Sequence, residues 1–473
     1  MSITLFGVLV VAIGIWCQCG SYRRAVITMV ALTVFGSAGA LELSALGGAS
    51  VTPADLFILF YSLRLVSMRH GGGLLAAEVA PSRPLFIFAL LNLWICGAAL
   101  VTPRLFDSAT YVYSLSRAPD ADGMSLLHPT SGNISQVVYA MGGFAVACVT
   151  CAYARRPGGY SALLSALVVV TSLDLGFALL DLVTSATHTG FVLDLIHTAN
   201  YAFLTADELG GVKRISGSFS EASAFASFSL MLLGVNFPLY VMRVRPRFTG
   251  IASAMLAALI ALSTSSSGYL GLAVFLVGFM IYVPVATVLW MRRRAIAIAV
   301  TMLCAGVFLG SCVFLFLPAV ATTIKTIISE SVLNKAASDS AIERSSWNQQ
   351  GWQVFLDTYG VGAGIGATRT SSYLVLLLSN LGAIGFTLFF ATLARVVLGR
   401  AAPHLGDEER AVVWAARIGL VLSLVASFLV GTVYYLGALF YILLGIAASG
   451  VANSAIVKPA PRWIEQHPRR THA

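Results

Sequence analysis

The sequence predicts an all-α, polytopic membrane protein, and three observations predict it. Of the 473 residues, 58% are hydrophobic and only 10% are charged, against about 25% charged in soluble domains. Apolar stretches such as 295–317 and 373–398 can each cross a hydrocarbon core about 30 Å thick. The short alternating segments of a barrel are not seen. Helices, which satisfy their own backbone polar groups, are therefore the expected spanning element.

Taken in order, spans are expected near 3–17, 25–41, 54–68, 84–102, 134–153, 161–183, 219–242, 248–266, 268–290, 295–317, 373–398, 411–431 and 433–451, about 12–13 transmembrane helices in one polytopic domain. The first lacks a basic n-region and a small-residue cleavage site, so it reads as retained. The basic clusters then fix the threading. Arg23-Arg24, Arg64 with Arg69 and Arg83, Arg155-Arg156, Arg243/Arg245/Arg247, Arg292-Arg293-Arg294, Arg395 with Arg400, and Lys458, Arg462, Arg469 and Arg470 of the tail fall on alternate sides. One assignment puts all of them in the cytoplasm, with the N-terminus outside and the C-terminus inside. The net charge of +9 is thereby read as topology rather than nucleic-acid affinity.

That orientation exports 103–133, 184–218 and 318–372 as extracytoplasmic loops and leaves 452–473 as a basic cytoplasmic tail. In the last loop Trp352, Phe355, Leu356 and Tyr359 recur at i, i+3, i+4, i+7, the spacing of an amphipathic helix able to lie on the membrane face. No fixed-period repeat is visible. The seven cysteines lie in or beside apolar runs, which implies no disulfide framework, and Cys148-x-x-Cys151 reads as packing.

Four stretches carry polar chemistry. Ser218-x-x-Glu221 fits a capping box at the start of a span, in the context RISGSFSEASAFASF with Arg214 just upstream and Ser220, Ser223 and Ser227 around it. Gly360, Gly362, Gly364 and Gly366 alternate before Arg369. The match of Gly362-x-Gly364-x-x-Ala367 to a dinucleotide fingerprint lacks the βαβ context and is set aside, while a glycine turn lets backbone N–H groups converge on an anion. Asp174 and Asp181 share a helix face. Intramembrane carboxylates of this kind either pair with an arginine such as Arg64 or relay protons. His188, Asp194 and His197 form only a weak metal pattern. Asp120-Ala-Asp122 is either a solvated turn or a cation-holding pair. No cofactor and no metal are expected.

The pattern R-x-x-G-x-F-x-E-x-S-A-x-A, here Arg214, Gly217, Phe219, Glu221 and Ser223, resembles the Wzy-type O-antigen and exopolysaccharide polymerases. So does the later run Arg344, Trp347, Trp352, Phe355, Gly360, Gly362, Gly364, Arg369, Asn380 and Gly382. The family often has Pro where this chain has Ala222. Related O-antigen ligases carry a histidine before the following span, and none occurs between Ser331 and Arg400, which favours polymerase over ligase.

The resemblance implies a C-type glycosyltransferase fold in the bacterial cytoplasmic membrane. It would join polyprenyl-diphosphate-linked oligosaccharide repeats at the outer face, beside a flippase and a chain-length regulator of the same pathway. Glu221 is then the expected base and Arg214, Arg344 and Arg369 the groups that hold the diphosphate, whose growing charge cations stabilise without a metal. Ser218, Trp347, Gly362, Gly364, Gly366 and Asn380 are the expected substrate-binding residues. A polysaccharide ligase and, from another class, a lipid-linked sugar flippase or transporter are the alternatives.

Overall fold

A computed structural model describes residues 2–43, 49–114, 123–199, 208–209, 212–285, 293–294, 296–302, 304, 322, 325 and 339–452. The chain is mostly helical. In order come α1 (Leu5–Gln18), α2 (Tyr22–Leu32), α3 (Pro53–Val66), α4 (Gly71–Glu78), α5 (Phe86–Leu105), α6 (Ser131–Ala154), α7 (Gly159–Ala186), the short α8 (Phe191–Asp194), α9 (Ala222–Val241), α10 (Pro246–Leu262), α11 (Ser266–Val285), α12 (Asp339–Asp357), α13 (Tyr373–Val397), α14 (Asp407–Val430) and α15 (Ala438–Ser449). Six of them, α5, α6, α7, α9, α13 and α14, are long and apolar enough to cross a membrane. Each expected span meets a helix among its described residues, α2 covering 25–41 only as far as Leu32; most of 295–317 lies outside the described residues.

Helix α9 is the central post. It packs against α14, α10 and α11, while α6 packs against α15, α5 and α3, and α2 packs against α7. Small residues permit the closest approaches. A side chain at Gly234 would stand 2.9 Å from the backbone of Gly419, so α9 and α14 touch backbone to backbone there.

Four of the basic clusters, those of Arg23, Arg64, Arg155 and Arg245, meet at one end of the bundle. Tyr22 Oη donates to the Pro157 carbonyl at 2.6 Å, and Arg23 and Arg245 both reach Ser165 Oγ, at 3.0 and 3.4 Å. Arg64 donates to the Gly20 carbonyl, and Arg155 pairs with the buried Glu78 at 3.0 Å. Cys148 and Cys151 are buried at this end, and the Cys151 thiol donates to Glu78 at 3.2 Å. These two cysteines pack as expected.

The opposite end carries the loops and small sheets. Strand β2 (Leu41–Leu43) pairs antiparallel with β1 (Ser2–Ile3) and β3 (Ala49–Val51), in the register Ser2↔Glu42 and Leu41↔Val51. Strands β4 (Tyr111–Tyr113) and β5 (Met124–Leu126) form a second ribbon, and β6 (Glu208–Leu209) pairs with β7 (Val212–Lys213).

Within the expected span 25–41 the helix is shorter than the apolar run. Helix α2 stops at Leu32, and the chain turns through 33–40. Ser37 N–H donates to the Ser218 carbonyl at 3.3 Å, while the Ser37 carbonyl accepts from Thr198 and Ala199 at 3.1 and 3.0 Å. Gly36 makes that crossing possible, since a β-carbon there would lie 2.8 Å from the Phe219 ring. The stretch is buried against Thr198, Ala199, Ser218 and Phe219, and composition alone reads burial by protein and burial by lipid alike.

Candidate functional site

The segment before α9 is tied down from α7. Asp181, buried near the end of that helix, pairs with the Lys213 ammonium. Its other oxygen accepts the backbone N–H groups of Ser216 and Gly217 at 2.8 and 2.9 Å. The expected pairing of Asp174 or Asp181 with Arg64 is thereby overturned. Asp174 accepts from Ser229 Oγ at 2.7 Å, and Arg64 serves the opposite, arginine-rich end of the bundle.

The expected capping box is also absent. Ser218 is buried, and its hydroxyl donates to the Val34 carbonyl at 2.7 Å. That carbonyl follows the end of α2, where a helix leaves acceptors unsatisfied, and it draws the serine away from α9. The α9 cap is Glu221 itself, in extended conformation at φ −156° and ψ 160°. Its carboxylate accepts from Ser223 Oγ. Ser218 is therefore a clamp between segments, and Glu221 stands at the helix mouth. Arg214, on the same segment, lies within electrostatic reach of the Tyr269 hydroxyl.

A second wall is built by α12 and the glycine turn. Gly351 and Val354 turn inward, and a β-carbon on Gly351 would meet Thr370 Cγ2 at 2.6 Å. Trp352, Leu356 and Tyr359 are exposed, at 48%, 51% and 88% of their surface. The expected helix thus exists and turns Trp352 and Leu356 outward, with Phe355 half-buried; Tyr359 lies past its end at φ 51°. Asn348 Oδ1 accepts from the N–H groups of Ser371 and Ser372, both at 2.9 Å, and so organises the start of α13.

Arg369 and Trp347 stack, with the guanidinium carbon 4.0 Å from the ring centroid. Arg369 N–H donates to the Tyr113 carbonyl at 2.7 Å, and the Tyr113 ring meets Trp347 edge-on at 6.4 Å. Burial pulls the Arg369 guanidinium below its usual range; the Glu343 charge opposes this and the Arg344 charge adds to it. Arg344, Trp347 and Arg369 therefore share one neighbourhood.

The glycines do something other than cradle an anion. Gly360, Gly362, Gly364 and Gly366 all have positive φ. Helix α13 breaks at Gly382, at φ 66° and ψ −172°, and the glycine turn repairs the break. Ala363 and Gly364 N–H donate to the carbonyls of Ser379 and Asn380 at 2.8 and 2.9 Å, and Ala383 N–H donates to the Gly360 carbonyl at 2.9 Å. Gly362 N–H goes to Thr358 Oγ1 at 3.1 Å. The amides of Gly362 and Gly364 are thus spent on the protein, which corrects the anion-cradle reading for both. Asn380 spans the same junction, donating to the Thr368 carbonyl at 3.0 Å. Gly366 approaches the start of α6 so closely that a β-carbon would sit 2.6 Å from the Gly132 carbonyl.

Between the α2/α9 wall and the α6, α14 and α15 side lies a cavity of about 520 Å³, within the size range of ligand sites. Asp55 and Tyr435 meet on its surface: Tyr435 Oη donates to Asp55 Oδ1 at 2.6 Å, and Thr52 Oγ1 donates to Asp55 Oδ2 at 2.8 Å. Tyr139 faces Tyr435 with ring centroids 5.5 Å apart. Ser227, Ser423 and Ser427 add hydroxyls, and Phe219 and Phe228 an apolar side. Gln136 borders both this cavity and a smaller void shared with Gly366, Thr368 and Asn380. Its Oε1 is buried and, among the described residues, has no hydrogen-bond partner. The arrangement offers a carboxylate, an open amide acceptor, hydroxyls and two aromatic faces to one ligand.

Sequence reading missed Asp55, Gln136, Tyr139 and Tyr435. Thr52-Pro53-Ala54-Asp55 reads as a helix start, which accounts for Asp55 locally and hides its contact with Tyr435, distant in sequence. Of the weak metal pattern, His188 and Asp194 are exposed and His197 lies 3.2 Å from the Gly217 carbonyl. Among the described residues no three metal-ligating side chains cluster. Asp120 and Asp122 lie outside the described residues. No protein-family model matches the chain, and no curated protein matches it.

Proposed function

We propose that this chain polymerises polyprenyl-diphosphate-linked oligosaccharide repeats at the outer face of a bacterial cytoplasmic membrane, as a C-type glycosyltransferase. The resemblance of the Arg214–Ser223 and Arg344–Gly382 motifs supports the reaction class. The observation that carries the reading is the cavity at the loop end of the bundle, whose carboxylate, amide, hydroxyls and tyrosine pair suit a polyhydroxylated ligand.

In the proposed reaction the bond from the donor's anomeric carbon to the diphosphate oxygen breaks as an acceptor hydroxyl oxygen bonds to that carbon. The hydroxyl proton passes to a carboxylate, with Glu221 in that role. Negative charge grows on the leaving lipid diphosphate, where the forked donors of Arg369 and Arg344 match phosphate oxygens. Asp55, Tyr435 and Gln136 would hold hydroxyls of the acceptor sugar. Trp347, stacked on the Arg369 guanidinium, holds its orientation.

Extension of a synthetic lipid-diphosphate repeat by purified protein tests the reading. A ladder of products is expected, and it should persist with excess chelator if the arginines are the charge-stabilising groups. Deleting the gene should leave carriers bearing single repeats. Long polymer left unattached would identify a ligase instead, and lipid movement without glycan growth would identify a transporter.

A further inference from the structure

A second cavity of about 520 Å³ opens between α9, α10, α11 and the helical residues 296–302. Its walls are apolar along most of their length, with Phe237, Phe275 and Ile298 among them, and its arginines are Arg243 and Arg294. Arg294 is held in place twice: Nη2 donates to the Tyr240 carbonyl at 2.7 Å, and the guanidinium carbon lies 5.0 Å from the Tyr240 ring centroid. Tyr240 is fixed in turn against Gly250, where a β-carbon would stand 2.9 Å from its ring. Arg243 follows α9 in the left-handed region at φ 61°, a conformation unfavourable for a non-glycine residue that persists where the surroundings hold it.

We infer that this cavity binds one anionic phospholipid, with the phosphate between Arg243 and Arg294 and the acyl chains along the Phe237, Phe275 and Ile298 wall. The shape and charge are those of an amphiphile with a single negative head. A soluble anion has no use for the apolar wall, and a neutral lipid has none for the arginines. The arginine-rich end of the bundle also carries Arg23, Arg64, Arg155 and Arg245, the pattern that faces an anionic leaflet. A guanidinium fork on a phosphate is a charge-assisted contact, strong enough that losing one should weaken binding about tenfold. This site is separate from the loop-end cavity and does not rest on the proposed polymerase activity.

The test uses the full chain, purified in detergent and delipidated, with phosphatidylglycerol, phosphatidylcholine or inorganic phosphate added. Native mass spectrometry should show one phosphatidylglycerol retained, with a matching rise in unfolding temperature, and neither effect from phosphatidylcholine or phosphate. Arg294→Ala and Arg243→Ala should each weaken retention about tenfold, with Arg294→Lys intermediate. Ile298→Trp fills the apolar wall and should abolish retention with both arginines intact, which covers the case in which an arginine variant folds poorly. Equal retention of the two lipids, retention unchanged in the arginine variants, or a phosphate effect equal to that of the lipid overturns the proposal.

Discussion

Asp181 is occupied by Lys213, Ser216 and Gly217 at once, so at the residue scale it is the fastening of the whole segment that leads to Glu221. A buried charge stripped of its partner is costly. Lys213→Met should therefore destabilise the protein by about 3 kcal/mol, seen as a lower unfolding temperature in detergent, and Asp181→Asn in the same chain should recover much of the loss. Equal stability of wild type and Lys213→Met would remove Asp181 from this role. His197 contributes a pH dependence. Burial pushes its imidazole below the ordinary value of 6.5, while the Gly217 carbonyl, Asp181 and Asp194 oppose the shift. A group whose folded pKa is depressed contributes stability above the unfolded value and loses it as pH falls through the folded one. The unfolding temperature should hold at pH 7 to 8 and decline below about 6.5, and His197→Asn should flatten that decline.

How far these residues were legible follows from where their partners lie. That Asp174 and Asp181 share one face of a helix is a matter of local spacing. That Asp181 takes Lys213, and that Arg64 belongs to the other end of the bundle, depends on the depth of each residue across the bundle, which spacing does not encode. Local sequence marks Glu221 as the start of α9 but not its partner: Ser218 goes to Val34 and Ser223 takes its place.

At the scale of elements, the decisive feature is the broken helix α13. Gly382 interrupts it, and the alternating glycines dock their backbone on the gap, because only residues without a side chain fit. A β-carbon on Gly362 would stand 2.5 Å from Gly382 N, and one on Gly382 would collide with the Val361 carbonyl. Gly382→Ala should cost on the order of 3 kcal/mol, combining the left-handed conformation with the collision. Loss of folded protein in detergent checks this, and a Gly382→Ala variant as stable as wild type would show that the turn tolerates a side chain. The glycine spacing was plain in the sequence and its purpose was not, since the partner row of carbonyls exists only once a helix has broken. Gly382 within an apolar span was the available clue. Helix existence among the described residues was well marked by hydropathy, helix length less so: six helices are long and apolar enough to cross a membrane, and in 25–41 the helix ends at Leu32 because protein also buries apolar residues.

Across the described residues, Arg23, Arg64, Arg155 and Arg245 gather at one end and the sheets, the glycine turn and the cavity of about 520 Å³ at the other. By the positive-inside rule the arginine-rich end is expected to face the cytoplasm, and labelling tests this. In intact cells a membrane-impermeant maleimide should modify Ser345→Cys, exposed on α12, in a chain with no other cysteine. It should spare a chain retaining only Cys19, which is exposed near the arginine-rich end. The reverse pattern would invert the topology and move the cavity to the cytoplasmic face.

In the proposed function, the loop-end cavity and the Arg344–Trp347–Arg369 cluster together transfer sugar from a lipid diphosphate. Product ladders from a purified lipid-linked repeat test it most directly, compared among wild type, Arg369→Ala, Glu221→Gln and Asp55→Asn at matched amounts of folded protein. Arg369→Ala and Glu221→Gln should each reduce the extension rate by about 100-fold or more, whereas Asp55→Asn should chiefly raise the acceptor concentration needed for half-maximal rate. Ladders of wild-type length and rate from all three variants would contradict it.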